Sequence, residues 1–323
     1  MKGSTMRIKR SKGSIMSSTA FVAAVAVFCT MLWGTAFPCI KIGYEIFRIG
    51  SEDIPSKLIF AGARFFIAGI IVLTIGLFQD RSAMKLHRRD ILPTGVLGFF
   101  QTYLQYLLLY IGLVRVSGTK SAILTAVSAF GSVIISAIVF KSDRLTLKKL
   151  AGCFIGLAGI VIMNLGGDGL GGFLLLGDGL VILSNLSGAV GNVLSKKISP
   201  GRSPVQLSAW QLIFGGSGLI LTGLLSGGRL IFYDHGCFWL LLYLAAMAGI
   251  AFMLWTMLLF HNDVSKLAVY NLLIPVFGAM WSGLFLGENI FTLTNMTALT
   301  LVCSGIFIVN YKRTQKKQVS EPK

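Results

Sequence analysis

Gly215-Gly216-Ser217-Gly218 matches the Gly-x-Ser-Gly pattern of membrane serine proteases. Acyl transfer by that serine needs a histidine at the same depth to take its proton. His87, His235 and His261 all fall between apolar runs, so the pattern lacks its base. No His-Glu-x-x-His zinc motif or Cys-x-x-Cys pair occurs either, and no catalytic residue, metal ligand or cofactor is expected. What remains is the chemistry of solute recognition. Trp33, Phe37, Trp255, Tyr270 and Trp281 supply aromatic faces, and Gln101, Gln105, Asn185, Asn192 and Asn271 supply amides. All lie inside apolar runs, where polar groups are costly and usually face a cavity or a partner. Trp33/Phe37 and Gln101/Gln105 are spaced i, i+4, and Asn185/Asn192 are seven apart, so each pair shares a helix face. Rings plus amides suit an organic solute with apolar and polar parts. The same Asn and Gln also serve as helix–helix hydrogen bonds, so either role is open to each.

The charges inside or beside the apolar runs form a second set. Arg64 lies about seven residues into its run, where a charge costs about 2.5–3.5 kcal/mol on insertion scales. It reads as an anchor for a substrate carboxylate, a partner in an outer gate, or a structural arginine capping carbonyls or snorkelling outward. Lys41, Asp178 and Glu288 close one side of their runs, Lys196 and Asp143 the other. They suit two ionic gates, one on each side, or ordinary interfacial charge. The middle of the membrane holds no Asp, Glu or His, so a central titrating carboxylate is not expected.

These residues need a membrane scaffold. The chain has 323 residues, 54% hydrophobic and only 13% charged, which excludes a soluble domain of this size. The net charge of +17 does not indicate nucleic acid, because the basic residues sit between apolar runs rather than on one face. A span takes about 20 apolar residues. Ten stretches fit: 20–42, 57–78, 91–114, 118–140, 148–165, 173–195, 205–226, 237–260, 265–286 and 292–311. The first follows a basic leader but is read as a span rather than a signal peptide. With a cytoplasmic N-terminus, 22 Lys and Arg fall inside and six outside, Arg64 being the last of the 29. That bias predicts both ends in the cytoplasm.

An internal repeat organises the ten. Leu32-Trp33-Gly34-Thr35-Ala36-Phe37 with Lys41 parallels Ser187-Gly188-Ala189-Val190-Gly191-Asn192 with Lys196. Arg64 falls near the place Gln211 takes, and Asp143 closes its span as Glu288 does. Each half has five spans, an odd number, so the halves must be inverted about an axis in the membrane plane. The predicted organisation is a basic tail (1–19), a first five-helix unit (20–165), a second (173–311) and a basic tail (312–323).

At Trp33-Gly34-Thr35-Ala36-Phe37 with Lys41 and Arg64-Phe65-Phe66-Ile67-Ala68 the chain resembles the drug/metabolite transporter superfamily, in its EamA-like branch. Tyr110-Ile111-Gly112-Leu113, Ser117-Gly118-Thr119, Gly177-Asp178-Gly179-Leu180 and Ile274-Pro275-Val276-Phe277-Gly278 through Leu286-Gly287-Glu288 continue the match. The resemblance implies an all-α integral membrane protein of ten helices in two inverted halves, with a central cavity lined by spans 1, 3, 4, 6, 8 and 9. It also implies a multi-pass carrier of the bacterial inner membrane that exports a small metabolite, amino acid or drug by alternating access, as a monomer or weak dimer. A lipid flippase-like carrier is the alternative. The chain departs from the pattern in span 4, where Ser128-Ala129-Phe130 replaces proline and Lys141-Ser142-Asp143 replaces Leu-Gly-Glu. Only span 9 keeps its proline, Pro275, so span 9 is expected to be the more bent. The Asn-x-Ser/Thr patterns at Asn185 and Asn295 lie within spans and should stay unmodified.

Overall fold

The computed structural model describes residues 18–116, 121, 124–164, 173–286 and 293–310. It is all-helical, with no strand among the described residues. The helices are α1 (Thr19–Ile46), α2 (Ile54–Gln79), α3 (Arg88–Leu113), α4 (Val127–Val139) and α5 (Leu147–Asn164). Then come α6 (a π-helical turn Leu175–Gly179 running into Leu180–Ile198), α7 (Pro204–Leu225) and α8 (His235–His261). α9 consists of Val264–Ala268, a 3-10 turn Val269–Leu272 and Leu273–Leu286, and α10 is Leu293–Asn310.

The starts are set by sequence. Asp53 accepts a hydrogen bond from the Ser56 amide at 3.0 Å with proline in the first turn of α2. Asp234 caps α8 through the Cys237 amide at 3.0 Å. Each supplies an acceptor to a donor the helix cannot satisfy itself. α7 ends at Leu225, and Gly227 just beyond it has a φ of 84°, which suits a residue without Cβ.

α1, α2, α3, α7, α8 and α9 are long and apolar enough to cross a membrane. α4 has 13 residues, short of the roughly 20 a bilayer needs, although 118–140 was expected to span. Residues 118–120, 122 and 123 of that stretch lie outside the described residues, and 121, 124 and 125 are helical too. α5 and α10 have 18 residues each.

Packing is dominated by close backbone approach. α2 lies on α7 and α5 on α10; α1 packs on α8 and α9, α3 on α6 and α7, α4 on α6, and α2 on α8. α2 and α7 run antiparallel, since Gly228 meets Pro55, Gly216 meets Gly62, and Ala209 meets Gly69. A Cβ on Gly62 would stand 2.8 Å from the Gly216 carbonyl oxygen, and one on Gly216 would stand 2.9 Å from that of Gly62. α5 and α10 are antiparallel too: Gly152 meets Gly305, and Gly159 meets Ala298. Without a hydrophobic drive between helices in lipid, such contacts carry association through van der Waals packing. Gly152-x-x-x-Gly156 followed by Gly159 therefore serves packing inside the chain.

The 3-10 turn of α9 lies one turn before Pro275. Proline has no N–H for the Asn271 carbonyl and its ring crowds that carbonyl, so the backbone tightens over Val269–Leu272. Span 9 thus carries a 3-10 turn just before its proline. α4, without proline, is regular from Val127 to Val139. Pro275→Ala restores the donor; we expect a higher Tm and several-fold slower transport, read in the purified protein and in proteoliposomes.

Candidate functional site

Gln101, Asn192, Trp255 and Trp33 come together from α3, α6, α8 and α1. The Asn192 Oδ1 accepts from Gln101 Nε2 at 3.2 Å and from Trp255 Nε1 at 3.2 Å. The Trp255 ring meets Trp33 edge-on with centroids 5.2 Å apart, and Trp33 meets Phe252 at 5.5 Å. Asn192 is 7% exposed and Trp255 1%, so this is a desolvated junction of two amides and two indoles. Two groups within it have no hydrogen-bond partner: Trp33 Nε1, a donor, and Gln101 Oε1, an acceptor. Buried polar atoms are nearly always satisfied, so these two atoms can each take a further partner, a water or a solute.

Local structure explains the placement. Gln101 lies in a π-helical turn, Phe99–Leu104, which adds a residue to the turn and re-aims its side chains. Ser187 Oγ donates to the Phe100 carbonyl of that turn at 2.6 Å, and Ser184 Oγ donates to the Gln105 carbonyl at 2.7 Å. Gly191 and Gly188 make the room. A Cβ on Gly191 would stand 2.5 Å from the Gln101 Cβ, and one on Gly188 would stand 2.6 Å from Gln105 Oε1. Reading from sequence missed this pair of glycines as the seat of the two glutamines. Their i, i+3 spacing beside Asn192 was the available signal.

The other expected aromatic and amide residues are dispersed. Asn185 is buried and donates to the Val181 carbonyl of its own helix at 2.8 Å. Phe37 is half exposed and meets Gly278 of α9. Asn271 is buried with its Oδ1 unpaired, and Trp281 stacks on Phe285 at 6.0 Å with its Nε1 unpaired. Tyr270 lines a different feature, an apolar crevice of about 450 Å³ among α1, α9 and α10, with Ala23, Val27, Leu273, Cys303 and Phe307. A second crevice of about 350 Å³ lies between α3 and α7, lined by Phe99, Tyr103 and Phe214. Neither crevice includes the Gln101–Asn192–Trp255 junction, which is packed shut.

Among the charges, Arg64 is 3% exposed, with its Nε buried and unpaired. Asp178 is fully buried, and its Oδ2 accepts from the Leu174 amide at 2.6 Å at the start of α6. A carboxylate suits that position because the first amides of a helix point at it. Lys41 is exposed, and Glu288 lies outside the described residues. The expected Lys196–Asp143 pair is not formed. Asp143 is 2% exposed and is held by Lys149 Nζ at 2.6 Å, by the Ser265 amide at 3.1 Å and by the Ser265 hydroxyl. Lys196 donates to the Asn262 carbonyl and stands 4.0 Å from Asp263. The closer ammonium on the next helix won, because Lys149 is only six residues from Asp143. Sequence reading also missed Arg202, which binds Asp90 through Nη2 at 2.8 Å and Nε at 2.9 Å and so ties α3 to the α6–α7 link.

Burial alone would raise the Asp143 carboxyl, but Lys149 and the two Ser265 donors outweigh it and hold the group below the ordinary carboxyl range. Its contribution is therefore complete above that range and is lost only as pH falls through the lowered value. The Tm difference between the wild type and Asp143→Asn should stay constant from about pH 5 to 8 and shrink only below about pH 4.

A family model described as the EamA-like transporter family matches residues 18–165 and 175–311. A protein from Salmonella typhimurium named "Probable amino-acid metabolite efflux pump" is 29% identical over 88% of this chain and 93% of its own length. An "S-adenosylmethionine/S-adenosylhomocysteine transporter" from Chlamydia muridarum is 24% identical over 83% of this chain and 86% of its own. One crystal structure superposes with a TM-score of 0.75 at 18% identity, covering 91% of this chain and 97% of that one.

Proposed function

The chain belongs to the EamA-like transporter family and is a multi-pass membrane transporter, and we propose that it carries a small organic solute by alternating access between two inverted five-helix halves, residues 20–165 and 173–311. Helix direction supports the inversion. α2 against α7 and α5 against α10 are antiparallel, as inverted counterparts must be. Exchanging each helix for the one five along returns the same packing: α1 on α8 becomes α6 on α3, α2 on α8 becomes α7 on α3, and α1 on α9 becomes α6 on α4. A bundle with that symmetry has two mirror-related packings of similar energy, which is what alternating access requires.

The observation that carries the solute path is the Gln101–Asn192–Trp255–Trp33 junction, where two helices of each half meet with polar atoms unpaired. In the packing described here the path is closed. Asp143–Lys149–Ser265, Lys196–Asn262–Asp263 and Asp90–Arg202 tie the side on which the basic links gather, the cytoplasmic side in this reading. Lys41, Asp178 and Glu288 would serve the opposite side. Both termini would be cytoplasmic, in the bacterial inner membrane, and the chain would act as a monomer or weak dimer. The names of the relatives favour efflux of an amino acid or related metabolite.

The test is flux in proteoliposomes of the purified chain against amino acids, quaternary amines and purines. Saturable movement of at least one class supports the reading; no movement of any class in vesicles that hold folded protein refutes it. The α1–α9–α10 crevice, apolar and opening between helices, favours a second reading as a lipid carrier. Movement of a fluorescent phospholipid between leaflets, with no flux of soluble solutes, would establish that one instead.

A further inference from the structure

Arg64 sits in α2 behind a wall of aromatic rings. Its guanidinium carbon lies 4.4 Å from the Phe65 ring centroid and 5.8 Å from that of Tyr106. Those two rings are themselves 4.4 Å apart. Tyr44, Tyr106 and Tyr110 belong to the same packed cluster as Phe65 and Phe252. No ion pair or hydrogen bond compensates Arg64 among the described residues, and its Nε is sealed from water without an acceptor. The contrast within the molecule is sharp: buried Asp143 and Asp90 each have a cationic partner within 2.8 Å.

An uncompensated buried guanidinium is expensive, and ring faces recover only part of that cost. Arginine is also the side chain best shaped to take a carboxylate, through parallel N–H donors in a fixed fork. The rings next to it run on in an unbroken series. Phe65 meets Phe252 at 6.1 Å, Phe252 meets Trp33 at 5.5 Å, and Trp33 meets Trp255 at 5.2 Å, where Asn192 begins. The Trp33 Nε1 along this series is a second unpaired donor. The charge is therefore at one end of an apolar wall, with the amide junction at the other.

We infer that Arg64 binds the carboxylate of the transported solute, whose apolar part lies along the Phe65–Phe252–Trp33 rings. This rests on the carrier reading above and deepens it: the favoured solutes are carboxylates bearing an aryl or large alkyl group, and neutral or cationic analogues are disfavoured. The anion supplies the missing partner for the guanidinium while it is bound, and the rings select the rest.

The probes are 3-phenylpropionate, its amide 3-phenylpropionamide, and phenethylamine. Binding to the detergent-solubilised wild type is followed by tryptophan fluorescence and by the shift in Tm. The carboxylate should bind at least tenfold more tightly than either analogue. Arg64→Gln should abolish that preference, and Arg64→Lys, which keeps the charge but not the fork, should retain part of it. Equal binding of carboxylate and amide by the wild type, no binding of either, or a preference that survives in Arg64→Gln overturns the inference. The wild-type comparison decides even where a variant fails to fold. Proteoliposome flux separates the two levels: solute movement equal in the wild type and Arg64→Gln sinks the carboxylate site alone, whereas no movement of any solute sinks the carrier reading.

Discussion

Gly62→Leu should prevent the two halves from docking. The side chain would project into the α2–α7 contact, where a Cβ alone meets the Ile220 amide at 2.7 Å and the Gly216 carbonyl at 2.8 Å. Both obstacles are backbone, so neither can swing aside as a flexible side chain would. Overpacking in a well-filled core costs about 1–3 kcal/mol where neighbours can shift. Here relief requires moving one helix off the other along a contact that extends from Pro55 to Gly69. We expect the loss to exceed that range, with the purified protein showing a Tm lowered by 10 °C or more, on the order of several kcal/mol for a chain of this size. Gly95 is the control. A Cβ there meets nothing within 4 Å, so Gly95→Ala should leave the Tm within about 1–2 °C. If Gly62→Leu left the Tm unchanged, the α2–α7 packing would be wrong.

Asn192→Leu should abolish transport while leaving the protein folded. The substitution keeps the branched outline of the side chain but removes the acceptor shared by Gln101 Nε2 and Trp255 Nε1, leaving two buried donors unpaired. Each such donor costs about 1–3 kcal/mol. The helices still pack through Gly188 and Gly191 against the two glutamines, so the fold should survive with a lower Tm. On the proposed solute path through this junction, flux should fall at least tenfold. Asn192→Asp keeps the oxygen and should retain both hydrogen bonds, so it should fall less. Equal flux in wild type and Asn192→Leu would place the path elsewhere.

The parts of this architecture that depend on local chemistry could be read from the chain. Apolar length indicated an all-helical membrane protein, and six of its helices are long and apolar enough to span. The missing N–H of Pro275 is consistent with the 3-10 turn just before it in α9, whereas Pro38 sits inside α1 without breaking that helix. Gln101, Asn192, Trp33 and Trp255 were named as cavity candidates from polarity within apolar runs. Their convergence was not visible, because it depends on the π-helical turn at Phe99–Leu104 and no residue there announces it. Asn185 shows the limit of helix-face reasoning: it shares a face with Asn192, yet its amide turns back to its own helix at Val181. Lys196 and Asp143 were paired by pseudo-symmetry, but proximity along the chain gave Asp143 to Lys149. Symmetry constrains backbones; side-chain partners follow the nearest charge.

Gln105 offers the most direct test of a path shared by two inverted halves. It is partly exposed, lies against Gly188, and has a side chain that takes no part in the Asn192 hydrogen bonds. In a chain whose Cys29, Cys39, Cys153, Cys237 and Cys303 are replaced by serine or alanine, Gln105→Cys is labelled with a membrane-impermeant maleimide added to right-side-out or inside-out vesicles. Alternating access predicts labelling from both sides, with solute slowing it from each. Labelling from one side only, at any solute concentration, would contradict it.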